Sequence, residues 1–269
     1  MIKSASQSII PMYRLLAMDL DKTLLKADGS VPEKVVERLR ELNSKGVRIA
    51  LCTGRVTRSA EHYARLIGGA SIVSFNGSVT CPEDGETVSS DIPLALASEV
   101  LDFCYENDVY VQYYRGEVIV VDHYTPELET DHDIEYTSYE EVGDLRKAIL
   151  EPTPKMVALE LSDRVDDIIV KMRERFPELS MANSSRYVIE IMPKGIDKGY
   201  GLSVVAKSLG IKKEETVAIG DSMNDLPMIE WAGLGVAVAN ADERLKSAAD
   251  RVTKEEMSYG VLEIANELF

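Results

Sequence analysis

The chain has 269 residues, 45% of them hydrophobic and 28% charged, a composition that supports a substantial buried core and excludes a disordered chain. Its formal charge of -16, with no basic stripe, repels a polyphosphate backbone and excludes nucleic acid as the expected partner. No apolar run reaches the roughly 18 residues of a membrane span, and Cys52, Cys81 and Cys104 are too scattered for a disulfide framework or a CxxC metal site.

Residues 1–11 read as a loose leader, with Met12 an alternative start. Tyr13 to Leu20 is a short apolar run ending on acids, the pattern of a buried parallel strand whose carboxyl end lies at a site. A helix follows over 32–45, with Pro32 in its first turn, Val35, Val36, Leu39 and Leu42 on one face, and Gly46 as its stop. Val47 to Cys52 is a second strand that ends in Thr53, Gly54 and Arg55, so the segment reads as a right-handed βαβ unit. A helix over 59–67 and a strand over 71–75 lead to Asn76-Gly77, a turn signal.

The texture changes near Pro82. A helix over 94–106, a hairpin from Val109–Tyr114 and Glu117–Asp122, and a polar acidic stretch through 123–145 come next. A strand at 156–161, a helix at 163–175 and a second hairpin across 180–191 complete an α+β insert with one open sheet. Alternation then returns: a helix over 198–209, a strand over 216–219 ending in Gly220-Asp221, a helix near 224–231, a strand at 234–238 and helices at 242–249 and 258–268. The predicted fold class is α/β, a Rossmann-like parallel-sheet core of 1–82 and 190–269 interrupted by a cap of 83–189.

Ligands of open parallel sheets sit at the carboxyl ends of the strands. There this chain offers Asp19-Leu20-Asp21-Lys22-Thr23, then Thr53-Gly54-Arg55, then Gly220-Asp221-Ser222-Met223-Asn224-Asp225. If the three strands are neighbours, Asp19, Asp21 and Asp221 converge, and their mutual repulsion calls for a hard divalent cation, Mg2+ being the natural one. Such a cation or a placed lysine also supplies the positive charge that an anionic substrate needs in so acidic a protein. One carboxylate, Asp19, is the candidate nucleophile and metal ligand, and Asp21 the candidate general acid and then base. Thr53 and the N–H groups near Leu20 and Gly54 would hold phosphate oxygens, with Lys198 at a helix start adding charge.

These residues resemble the haloacid dehalogenase-like hydrolases, and within them the Cof-type phosphatases with a large inserted α/β cap of type IIB. DLDKTLL at 19–25, TGR at 53–55, IMPKGIDKG at 191–199 and GDSMND at 220–225 are similar to the family's four motifs, in order, from about residue 13 to the end. The resemblance implies that Asp19, Asp221 and the backbone carbonyl of Asp21 ligate magnesium and that Thr53 and Lys198 bind phosphate. It further implies that Asn224 and Asp225 serve the phosphate or support the metal and the lysine, and that Asn76-Gly77 is a loop near the substrate, although a plain hairpin turn explains that pair equally well. Lys22 stands where Gly is common, which bears on contact with the cap.

The expected activity is hydrolysis of a small phosphorylated metabolite, a sugar phosphate by family analogy, in the cytoplasm and without membrane or obligate protein partner. The rivals are a phosphomutase, which returns the phosphoryl group to a sugar, and a sensor that binds a phosphometabolite without turnover. His62, His123 and His132 read as incidental, while Tyr113, Arg115 and Arg186 are possible specificity groups in the cap, although each reads first as an ordinary surface residue. The 233–241 stretch reads as strand and turn, with Asn240 near the site.

Overall fold

The computed structural model describes residues 13–124, 137–185 and 187–269. Residues 1–11, Met12, His132 and Arg186 therefore lie outside the described residues.

The first strand, β1 (Leu15–Met18), is four fully buried apolar residues. After it α1 (Glu33–Ser44) buries Val35, Val36, Leu39 and Leu42, and β2 (Arg48–Cys52) returns parallel to β1. Next, α2 (Thr57–Leu66) leads to β3 (Ser71–Ser74), parallel to β2. Two short strands absent from the sequence reading, β4 (Val79–Cys81) and β5 (Val88–Ser89), then extend the same sheet antiparallel. The core sheet thus runs beyond the boundary expected at residue 82.

The insert begins with α3 (Leu94–Glu106), followed by the hairpin β6 (Tyr110–Arg115) and β7 (Val118–Val121). Then come β8 (Ser138–Glu141), α4 (Leu145–Ala148), β9 (Met156–Leu159), α5 (Val165–Arg175), β10 (Leu179–Ser185) and β11 (Val188–Pro193). They form a second, mostly antiparallel sheet in the order β10-β11-β9-β6-β7-β8, which runs through Pro193 and so past the return to the core expected at residue 190. β8 and α4 occupy part of the stretch read from sequence as polar and acidic. One face of this sheet packs on α3 and α5 through Val111, Tyr113, Met156, Ala158, Ile189 and Ile191. The opposite face presents Tyr114, Ile119, Val121, Val157 and Leu159, which meet Val56 and Phe75 of the core. Alternation along the strands sends successive residues to opposite faces, so one sheet builds its own core and also covers another domain.

The chain re-enters the core with α6 (Lys198–Ser208), β12 (Thr216–Gly220), α7 (Leu226–Trp231), β13 (Leu234–Ala237), α8 (Glu243–Ala248), β14 (Arg251–Val252) and α9 (Met257–Leu268). The core sheet has the order β14-β13-β12-β1-β2-β3-β4-β5, parallel throughout except at β4 and β5. β1 lies between β12 and β2, with Met18 level with both Ile219 and Leu51. The loops after these three strands must share one crevice, at the point where the strand order reverses. The fold is a Rossmann-like α/β core with an inserted α+β cap. Among the described residues no helix is long and apolar enough to cross a membrane.

Leu202 of α6 is fully buried in the core that unites both halves of the chain. Truncating it, Leu202→Ala, is expected to cost about 2–5 kcal/mol, read as a lower urea midpoint; an unchanged midpoint would contradict this packing.

Candidate active site

Asp19 follows β1 directly, is 4% exposed, and its N–H donates to the Ile219 carbonyl at 3.0 Å. The loop from Leu20 to Leu25 folds back on itself, with Leu25 N–H donating to Leu20 O at 2.8 Å. Lys22 adopts φ 60°, a left-handed conformation that glycine takes at least cost. Its carbonyl accepts from Asn240 Nδ2 at 2.9 Å, so Asn240 holds this loop.

Lys198 is the first residue of α6, 1% exposed, and reaches back to the strand ends. Its ammonium donates to Asp19 Oδ1 at 2.7 Å and to Asp225 Oδ1 at 2.6 Å. The other oxygen of Asp225, Oδ2, accepts from the N–H groups of Asp221 at 2.9 Å and Ser222 at 3.0 Å. Asp225 therefore holds both the lysine and the loop that carries Asp221. The start of α6 is fixed in turn by Asp197, whose side chain accepts from Tyr200 N–H at 2.8 Å. Gly77, at φ 104°, lies so close that any Cβ would collide with the Asp197 carbonyl oxygen. Asn76-Gly77 is thus a close-packing turn that seats the helix bearing Lys198. Asn76 Oδ1 also accepts from Asn224 Nδ2 at 3.3 Å, joining the loops after β3 and β12.

Carboxylate oxygens of Asp19, Asp221 and Asp225 lie within 4.8 Å of one another. The carboxylate of Asp21 is not among them. It turns to Arg55, whose Nε donates to Asp21 Oδ2 at 2.7 Å while Nη2 contacts Oδ1. Arg55 is itself buried and also donates to Ser59 Oγ at 3.3 Å, so it is a fixed clamp on a half-exposed acid. Thr53 is fully buried; its Oγ1 accepts from Arg55 N–H at 3.2 Å and its carbonyl from Asn76 N–H at 2.9 Å.

The electrostatics follow from one lysine facing three buried acids. Burial, reinforced by Asp225, Asp221 and Asp21, pushes the Asp19 carboxyl well above its usual range, with Lys198 pulling against it. Burial and Asp225 raise Asp221 to about 7. For Lys198 the loss of water opposes the charge, but Asp19 and Asp225 outweigh it and hold the ammonium protonated. The donor set is all oxygen, which suits a hard divalent cation. Asp225 has both oxygens engaged, whereas among the described residues the Asp221 carboxylate accepts only a long 3.4 Å hydrogen bond, from Thr23.

The possible specificity groups Tyr113 and Arg115 make their contacts within the cap, and the histidines read as incidental pack against neighbouring rings. Tyr113 donates to the Glu151 carbonyl at 2.6 Å inside the cap, and Arg115 pairs with Glu140. His62 packs edge-on against Tyr63, and His123 against Tyr110. Two cap residues that the sequence reading missed reach the loop after β2. Lys155 Nζ donates across to the Gly54 carbonyl at 2.8 Å and to Glu190 Oε1 at 3.1 Å. The signal for Glu190 was a lone charge between Ile189 and Ile191 in an otherwise apolar strand.

The comparisons agree with this architecture. A family profile described as haloacid dehalogenase-like hydrolase matches residues 16–264. A 5-amino-6-(5-phospho-D-ribitylamino)uracil phosphatase, YitU, of Bacillus subtilis strain 168 is 31% identical over 264 residues, covering 95% of this chain and 97% of its own. A crystal structure of a haloacid dehalogenase-like hydrolase from Bacteroides thetaiotaomicron is 28% identical and superposes with a TM-score of 0.84, covering 96% of this chain and all, 100%, of the other. A subclass IIB sugar phosphatase of the superfamily shares the fold at a TM-score of 0.78 and 22% identity, over 94% of this chain and 96% of its own. The chain belongs to the haloacid dehalogenase-like hydrolases, among the Cof-type phosphatases with an inserted α/β cap. It is an enzyme of the phosphoric monoester hydrolase class.

A carboxyl whose proton affinity rises on folding stabilises the metal-free chain most below the ordinary carboxylate pKa, and that stability drains away as pH climbs through the folded value. For Asp221 the window runs from about pH 4 to about 7. A divalent cation needs the deprotonated form, so its stabilisation grows over the same window. Melting with EDTA and with magnesium at pH 5.5 and 8 should show the larger metal-induced rise at pH 8. Equal rises at both values would contradict this.

Proposed function

We propose that the chain is a magnesium-dependent phosphatase that hydrolyses small phosphorylated metabolites of the sugar-phosphate or phosphopolyol kind through an aspartyl-phosphate on Asp19. The observation that carries this reading is the placement of Asp19. It is buried at the end of the central strand, bonded to Lys198, and within 4.8 Å of Asp221. Such a carboxylate is poorly solvated, fixed in direction and close to a second acid with which it could share a cation, as suits a nucleophile toward phosphorus.

Asp19 and Asp221, with the Asp21 backbone carbonyl, are the groups we assign to magnesium, which when bound screens the approach of two anions and stabilises charge on the transferring oxygens. Thr53, the N–H groups of Leu20 and Gly54, and Lys198 would hold the phosphate oxygens, with Asn224 at the margin. A carboxylate oxygen of Asp19 attacks phosphorus and the ester P–O bond breaks. Asp21 gives its proton to the leaving oxygen, then takes a proton from the water that attacks the aspartyl-phosphate, releasing Asp19 and inorganic phosphate. Arg55 engages both carboxylate oxygens of Asp21, so Asp21 must leave that clamp to reach the leaving oxygen. Asp225, Arg55, Asn76 and Gly77 position these groups rather than react.

The cap, which we take to span the chain between β5 and α6, would shut water out during the first transfer and admit it for the second. Its contact with the loops after β2 and β3, through Tyr114, Phe75 and Val56, supports such a lid. The substrate class rests on the relative that acts on a phosphoribityl compound, a phosphorylated polyol. We assign the enzyme to the cytoplasm, with no membrane, nucleic-acid or obligate protein partner.

Asp19→Asn should lower phosphate release by at least about 10³-fold with an unchanged circular dichroism spectrum. EDTA should abolish activity and magnesium restore it. Free phosphate, rather than an isomeric sugar phosphate, should be the product from a hexose phosphate. Undiminished hydrolysis by Asp19→Asn would refute the nucleophile assignment.

A further inference from the structure

Glu190 is the residue whose surroundings the chemistry above leaves unexplained. It lies on the core-facing side of β11, with Ile189 and Ile191 packed into the cap's own core, and is 5% exposed. Oε1 accepts from Lys155, itself 4% exposed. Oε2 is fully buried and has no hydrogen-bond donor among the described residues. A buried carboxylate oxygen without a donor forfeits its hydration for nothing, so native structures rarely keep one without a use.

Its position says what the use is. The carboxylate stands against the loop after β2, where a Cβ on Gly54 would be 3.0 Å from Glu190 Oε1 and 3.2 Å from Asn76 Oδ1. A side chain there would crowd both groups, so glycine suits the close approach of a cap carboxylate to this loop. Met192, next on the same face of β11, lines a cavity of about 1000 Å³ together with Asn76, Lys198 and Asn224. Asn76 Nδ2 lies 3.9 Å from Met192 Sδ, so cap and core residues meet along this wall.

A carboxylate repels the phosphate and can only accept hydrogen bonds, so its partner belongs to the leaving group. Lys155 already balances its charge, and an ammonium on the substrate would sit uncompensated beside that lysine. A neutral hydroxyl is the donor that fits. We propose that Glu190 Oε2 accepts a hydrogen bond from a substrate hydroxyl near the phosphoester, making Glu190, braced by Lys155, a specificity-determining residue for hydroxylated phosphate monoesters. This rests on the phosphatase reading above and names the substrate feature that reading leaves open.

The test compares Glu190→Gln with the wild type on D-ribose 5-phosphate and on phenyl phosphate, which has no hydroxyl to offer. Glutamine keeps an oxygen for Lys155 and puts an N–H₂ donor where Oε2 stood. The kcat/KM for ribose 5-phosphate should fall roughly 10–100-fold, with less than about a threefold change for phenyl phosphate. Lys155→Met, which breaks the tether to Gly54, should lower both substrates together. Equal losses for both substrates in Glu190→Gln, or none, would overturn the proposal and leave Glu190 as an anchor for Lys155. If the wild type with magnesium hydrolyses neither ester, the phosphatase reading fails. Calorimetric binding of ribose 5-phosphate still decides the question: weaker binding by Glu190→Gln supports the contact and equal binding refutes it.

Discussion

A single buried ammonium holds this site together. Lys198 is shared between Asp19 and Asp225, both buried, and each of those carboxylates belongs to a different strand end. A charge so placed survives only when paired and hydrogen-bonded, and here every bond it makes also fixes a functional loop. Asp225 passes the constraint to the Asp221 N–H, Asp197 caps the helix that bears the lysine, and Gly77 lets the loop after β3 press against that cap. One lysine does not neutralise three buried acids. The surplus falls on Asp19 and Asp221, whose carboxyls are pushed upward by burial and by neighbouring carboxylates, Asp225 foremost, and that surplus is what a divalent cation would relieve.

The strand ends were legible in the sequence because a parallel sheet forces short apolar runs to stop abruptly at polar loops. Asp19, Thr53 and Asp221 each stand directly after such a run, and the strand order makes them neighbours. Lys198 could be named from its motif, but its hold on both Asp19 and Asp225 could not, since the residues are distant in sequence. The Asp21–Arg55 clamp was hidden for the same reason. Asp21 sits two residues after Asp19, yet loop geometry turns it away from the carboxylate cluster and toward α2. Small strands escaped for another reason: β5 has two residues, both exposed, and β8 reads SYEE, so neither carries an apolar alternation.

The cap illustrates how alternation divides labour. Odd-numbered positions of β11, Ile189 and Ile191, are spent on a private core beneath α3 and α5, and even ones, Glu190 and Met192, face the neighbouring domain. Most of that second face is apolar and meets Phe75 and Val56. Lys155 and Glu190 are charged exceptions among the described residues, and they meet the core at the loop of Thr53 and Gly54. Substrate choice and lid closure would therefore draw on the same few side chains.

Whether surplus negative charge beside Asp19 is the organising feature can be read from a crystal grown with manganese in place of magnesium and measured at the manganese edge. The account predicts one anomalous peak coordinated by carboxylate oxygens of Asp19 and Asp221, with Lys198 still bonded to Asp225. A peak bound instead by the side chain of Asp21, or none within the crevice, would contradict it.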